Sequence, residues 1–154
     1  MLKLVHTPLP NGDADRRQVA LHVDRITIAK RVWRGVAEDG TEFGFELEKP
    51  LRHGDVIWRT DETCYVIVQQ EERVLEVALD IAPSAAAGIG WAVGNLHLEL
   101  QAEATRLLAP DEPAVRKLFE RLNVSYRETT AVFRPGRFVR GEKAAHELGA
   151  SHKH

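Results

Sequence analysis

From Arg73 to Phe133 the spacing of apolar residues switches between a period of two and a period of three to four, twice over. This restricts the fold more than any other feature of the chain. Residues 74–79 alternate as a strand. Pro83 follows, and Ser84 is placed to cap a helix running to about Val93. Residues 98–102 and 105–109 are apolar enough for two further strands. Asp111-Glu112-Pro113 then opens a second helix, with an acid to cap it and a proline where no backbone donor is needed. Val115, Leu118, Phe119 and Leu122 fall on one face of that helix. Asn123 ends it, and residues 124–133 alternate as a last strand. The order β-α-β-β-α-β predicts an α+β domain of the ferredoxin-like, split βαβ kind over residues 73–140.

The preceding 72 residues carry a different pattern. Short runs rich in β-formers, 32–37 and 43–47, flank Asp39-Gly40, where glycine accepts the positive φ of a tight hairpin. His53-Gly54-Asp55 turns the chain into Val56-Ile57-Trp58, and residues 60–63 turn it into a strand from Cys64 to Val68. The expectation is two domains: an all-β unit over residues 1–72 and the mixed unit after it. Residues 141–154 hold Leu148 as their only large apolar side chain, so burial there does not offset ordering entropy, and a flexible tail is expected.

A net charge of −2 leaves no electrostatic footprint for nucleic acid. The single cysteine, Cys64, excludes both an intramolecular disulfide and a thiolate cluster within one chain. Residues 81–94 form the longest weakly polar stretch, too short for a bilayer, and residues 1–10 lack the charged start and apolar run of a secretory signal. The expected location is the cytoplasm, with no membrane association.

The sequence contains no Gly-x-Ser-x-Gly elbow, no phosphate-cradling loop and no His-Glu-x-x-His pair, so it is not read as an enzyme. Histidine carries the chemical interest. His6, His22 and His53 sit at chain ends and turns of the β half and read as ordinary polar residues. His97 follows the first helix of the second unit, where the simplest role is an interaction with the last carbonyls. His146, His152 and His154 lie in the tail, the last two placed to close on one ion.

The segment Gly94-Asn95-Leu96-His97-Leu98-Glu99-Leu100-Gln101 resembles the Gly-Asn-x-His-x-x-Leu-Gln stretch of the urease accessory protein E family, the nickel metallochaperones. Val74-Leu75-Glu76-Val77 resembles the opening of that family's second domain, and Gly54-Asp55-Val56 lies in a run similar to its first. Phe133-Arg134-Pro135-Gly136-Arg137-Phe138 is similar to its closing stretch before a histidine-containing tail. The resemblance implies a peptide-binding-like N-terminal domain and a C-terminal domain that forms a homodimer. It places His97 near the two-fold axis, where symmetry doubles one imidazole without a further residue, and it makes His152, His154 and His146 auxiliary ligands. Nickel is the implied cargo, and zinc or copper suits the same ligands. The implied partners are urease apoprotein and its other accessory proteins, including the GTPase.

The chain departs from the family at Ala92, Leu96, Glu99 and Glu112 and has few tail histidines, which points to one shared ion rather than several. Two other readings stand beside this one: a docking adaptor of the urease assembly complex with little metal role, and a small enzyme with His97 as general base. The second requires Glu99 on the same strand face as His97.

Overall fold

The protein is described by a computed structural model covering residues 1–12, 15–139 and 145–147. It is a mixed α+β structure whose contacts divide it into two compact units, Met1–Gln70 and Glu71–His154.

In the first unit, β1 (Lys3–Val5), β3 (Val32–Val36) and β4 (Glu42–Glu46) form a sheet in the order β1-β4-β3. A second sheet, β2-β6-β5, is built from β2 (Arg17–Val23), β5 (Val56–Arg59) and β6 (Thr63–Gln69). Each sheet has one parallel pair, β1 with β4 and β2 with β6, and one antiparallel pair. The core is aromatic and aliphatic: Phe43, Phe45, Leu21 and Ile67 are fully buried, and Trp33 stacks on Phe45 with ring centroids 4.1 Å apart. The Asp39-Gly40 turn joins β3 to β4 as the sequence predicts. Gly40 has φ +87°, and the Asp39 carboxylate accepts from the Thr41 amide and the Tyr65 hydroxyl. The unit is not entirely β, since Asp24 caps a one-turn helix, α1 (Arg25–Ile28), by accepting from the Thr27 amide.

In the second unit the chain order is β7 (Glu72–Ala78), α2 (Pro83–Asn95), β8 (Gln101–Ala102), β9 (Arg106–Pro110), α3 (Pro113–Arg121) and β10 (Arg127–Ala131). The strands form one antiparallel sheet in the order β10-β7-β9-β8. Alternation along the strands sends Leu75, Val77, Leu107 and Ala109 to the face where Ile89 and Val93 of α2 and Val115, Leu118 and Phe119 of α3 pack. Val74, Leu108, Ala131 and Phe133 form a second buried cluster. The Glu76 carboxylate, only 12% exposed, pairs with Arg106 and Arg127 of the flanking strands. On the other register Asp111 holds Arg116 through two hydrogen bonds of 2.7 and 3.0 Å.

Three local expectations are corrected. The cap residue of α2 is Ala82, with Pro83 in the first turn, and Ser84 lies inside the helix. Asp111 does not cap α3; Glu112 occupies that position without a side-chain hydrogen bond, while the Asp111 carboxylate is taken by Arg116. The strand expected over residues 98–102 is reduced to Gln101–Ala102, because the chain is still leaving α2 through a turn at Leu96 and His97. Beyond β10, β11 (Arg137–Val139) pairs antiparallel with β12 (Ala145–Glu147), and β11 runs alongside β8. The rest of residues 140–154 lies outside the described residues. Among those described, no helix is long and apolar enough to cross a membrane.

Candidate metal centre

Helix α2 ends in a specific geometry. Leu96 is its C-cap, and His97 next to it takes φ +55°, in the left-handed region. The His97 amide donates to the Gly94 carbonyl at 3.0 Å, and the Leu98 amide donates to Val93 at 3.1 Å. These two bonds, with Leu98 packed in the same cluster as Val93, make a Schellman termination. Glycine is the usual occupant of the left-handed position, because a β-carbon there is strained. Helix α3 ends identically: Asn123 also has φ +55°, with its amide donating to Glu120 and that of Val124 to Phe119. Asparagine tolerates this backbone better than most residues. A histidine there keeps a side chain where local energetics favours none.

The backbone of His97 is thus locked while its side chain is exposed. Glu99 is exposed too, but His97 is in a turn and not on a strand, so strand alternation does not set the two side by side and the general-base arrangement loses its premise. Among the described residues no group of three or more His, Cys, Asp or Glu side chains gathers to hold an ion.

The helix that leads to His97 is unusual for a surface element. No charged residue occurs from Pro83 to Asn95, yet only Ile89 and Val93 of that helix are buried. Trp91 is 71% exposed and Leu96 47%. A β-carbon added at Gly88 or Gly94 would meet no atom within 4 Å, so packing inside the chain gives no reason for either glycine. Each weakens the helix by roughly 1 kcal/mol relative to alanine. In the sequence this stretch shows only that it is too short for a membrane; its exposure is a property of the fold.

The histidines of the first unit are engaged within it. His6 Nδ1 lies 3.1 Å from the Glu46 carbonyl, His22 Nε2 lies 2.7 Å from Glu38 Oε1, and His53 Nδ1 accepts from the Gln69 amide at 3.0 Å, all within the first unit. These are the ordinary polar roles expected of them. His146 is placed by its backbone in β12, opposite Phe138 of β11. His152 and His154 lie outside the described residues.

Gln101, quoted in the sequence only as the end of a motif, holds a structural post. It is 7% exposed. Its Oε1 accepts from the Arg134 amide at 2.6 Å, and its Nε2 donates to Glu103 at 3.3 Å. The Gly136 amide donates to the Leu100 carbonyl at 2.8 Å, with Gly136 at φ +83°. The closing Phe133–Gly136 stretch is therefore fastened to the residues just after His97.

Residues 72–154 match the family model described as UreE urease accessory protein, C-terminal domain. Over 147 residues the chain is 27% identical to the urease accessory protein UreE of Staphylococcus aureus strain MRSA252, covering 94% of this chain and 91% of that one. It is 26% identical to the UreE of strain Newman with the same coverage. The chain that sets a lone histidine on this helix end belongs to the UreE family of urease accessory proteins.

Proposed function

We propose that this chain is a cytoplasmic nickel metallochaperone, delivering Ni²⁺ for assembly of the urease active site. In this reading the ion is cargo, held between two copies of the chain by paired His97 imidazoles, and His146, His152 and His154 complete the shell. The carrying observation is an exposed imidazole on a rigid helix end, beside an uncharged apolar helix surface with Trp91 and Leu96 outermost. That surface suits a second copy, and the unexplained Gly88 and Gly94 suit a close helix approach. Residues 73–140 are then a ferredoxin-like domain for metal binding and dimerisation. Residues 1–72 are a peptide-binding-like domain, and 141–154 a histidine-containing tail. The partners are urease apoprotein and its other accessory proteins, including the GTPase.

Neutral imidazole suits nickel, zinc and copper, so selectivity rests on supply and geometry more than on ligand type. A carrier gains from a site open on its outer side, since the receiving protein must reach the ion before it leaves.

The test is equilibrium dialysis against Ni²⁺ with sedimentation analysis. The wild-type dimer should keep about one ion, and His97→Ala should lose it while remaining a dimer. A variant that keeps its nickel overturns the central ligand. A wild-type protein that binds none, yet still joins the urease assembly complex, supports the docking-adaptor reading instead.

A further inference from the structure

We infer that the outer edge of β3 is a docking site for an extended segment of another protein in which an acidic residue stands between two apolar ones, in the pattern apolar-x-acid-x-apolar. The inference rests on the reading of residues 1–72 as a peptide-binding-like domain, to which it gives a strand and a partner chemistry, and not on the metal site.

The backbone supplies the first half of the site. β3 ends its sheet, with β4 on its inner side. The Leu47 amide donates to the Arg31 carbonyl and the Ala37 amide to the Thr41 carbonyl, so the odd-numbered residues from 31 to 37 turn their polar groups to β4. The N–H and C=O groups of Val32, Arg34 and Val36 therefore point the other way, and among the described residues they meet no hydrogen-bonding partner. The open length is bounded at one end by the bond from the Lys30 amide to Thr27, and at the other by that from the Glu38 amide to Ala20 of β2. Between these limits an added strand would satisfy the free groups through its own main chain.

The side chains supply the second half. Trp33 of β3 goes to the core with Phe43 and Phe45, which leaves Val32, Arg34 and Val36 on the outward face, opposite Glu46, Gly44 and Glu42. Val32 is 72% exposed and Val36 58%. Arg34 between them is exposed, as are Lys30 and Arg31 just before the strand, and among the described residues none of these three cations has an ion-pair partner. A cation alone on an edge strand is explained as a guard against uncontrolled pairing. Exposed valines on both sides of it work against that purpose, since they are what a strand partner covers. Two apolar positions around a cation favour an incoming segment of the same spacing and opposite charge, whichever way it runs. Glu42 and Glu46 lie one strand further in, roughly 10 Å from the added backbone, whereas Arg34 is beside it. A membrane or a nucleic acid would use the cations but leave the free amides and carbonyls of the edge without partners in register.

The experiment is fluorescence anisotropy of the labelled peptide Gly-Ser-Val-Thr-Glu-Thr-Val-Ser-Gly titrated with the full chain, beside the same peptide carrying lysine for glutamate. The glutamate peptide should bind more tightly than the lysine one. Arg34→Glu should invert that order, each affinity changing by roughly two- to thirtyfold, the swing between an attractive and a repulsive cross-strand pair. A variant that had merely lost its fold would weaken both peptides alike. Val32→Pro removes an outward-facing N–H only, which an edge strand tolerates, and should weaken both peptides while the unfolding curve stays near that of the wild type. Bound glutamate peptide should slow amide exchange at Val32, Arg34 and Val36 and leave Trp33 and Gly35, already bonded to β4, as they were. Binding that ignores both substitutions would keep the peptide-binding reading of residues 1–72 and remove this edge. No binding of either peptide would overturn both. Phosphatidylserine vesicles or oligouridylate retained through Arg34 while neither peptide binds would make the patch a general anion site, and the proposal would fall.

Discussion

Replacing His97 with glycine should abolish nickel binding and leave the metal-free fold as stable as before or more so. A residue with a β-carbon held in the left-handed region, as His97 is at φ +55°, is strained by about 1–2 kcal/mol. Glycine removes that strain. Its greater freedom in the unfolded chain costs about 0.5–1 kcal/mol. The difference runs from about zero to about 1.5 kcal/mol in favour of the variant. Both backbone hydrogen bonds of the termination survive, because they come from the amides of His97 and Leu98. The exposed imidazole contributes little packing to lose. His97→Ala keeps the β-carbon and so the strain, and should match wild type in stability while sharing the loss of nickel.

Urea unfolding of chelator-treated protein, at one fixed protomer concentration, measures this. Asn123→Gly is the internal control, being the same backbone conformation at the end of α3 with a residue that tolerates it, so its gain should be smaller. The reasoning fails if His97→Gly is destabilised by more than about 1 kcal/mol, because the side chain would then be holding the fold. It fails equally if the glycine variant still binds nickel.

Trp91→Glu should shift the protein from dimer to monomer in sedimentation and weaken nickel binding with it, since a charge on this uncharged helix opposes a second copy; a stable dimer would move the interface elsewhere. The hydrogen bond from Arg127, with the charges of Arg127 and Arg106, lowers the Glu76 carboxyl below the usual carboxylate range. Asp111 is lowered likewise by Arg116. For a carboxylate depressed in the folded state, the stabilisation is complete above its unfolded pKa and is lost as pH falls through that value toward the folded one. The second unit should therefore lose stability from about pH 5 downward. Glu76→Gln should flatten this acid limb in unfolding curves taken across pH; an unchanged limb would refute the assignment.

Local chemistry made much of the fold legible. The switch between strand and helix periods gives the element order of the second unit, Asp39-Gly40 gives the β3–β4 turn of the first, and Asn123 marks the end of α3. What stayed hidden depends on distant partners. Pairing of β2 with β6 joins residues more than forty apart, in parallel, and no local signal encodes that. Asp111 looks like a cap until Arg116, five residues later, competes for its carboxylate. The strand after His97 is short because Leu98 is recruited to close the helix, which alternation alone does not show. For the site, a histidine after a helix could be singled out in the sequence, but not its left-handed backbone. The exposure of Trp91 and Leu96 depends on which face of α2 the sheet covers, and no local pattern states that.

Three features of α2 call for explanation together. The helix carries apolar side chains outward, contains glycines that its own chain does not require, and closes on a histidine where glycine would be easier. Each works against the stability of a lone chain, through hydration of exposed apolar groups, weakened helix propensity and backbone strain respectively. Folding of the monomer gives no return on any of them. In the proposed dimer a second copy against the helix would cover the apolar side chains and use the room the glycines leave, and an ion at the helix end would use the histidine. Dimerisation without metal would leave His97 unexplained, and metal binding by a monomer would leave Trp91, Gly88 and Gly94 unexplained. Only when interface and ligand belong to one site do all three costs have the same origin, and then loss of the dimer and loss of the ion should accompany each other when the helix surface is disrupted, whereas removing the imidazole alone should cost only the ion.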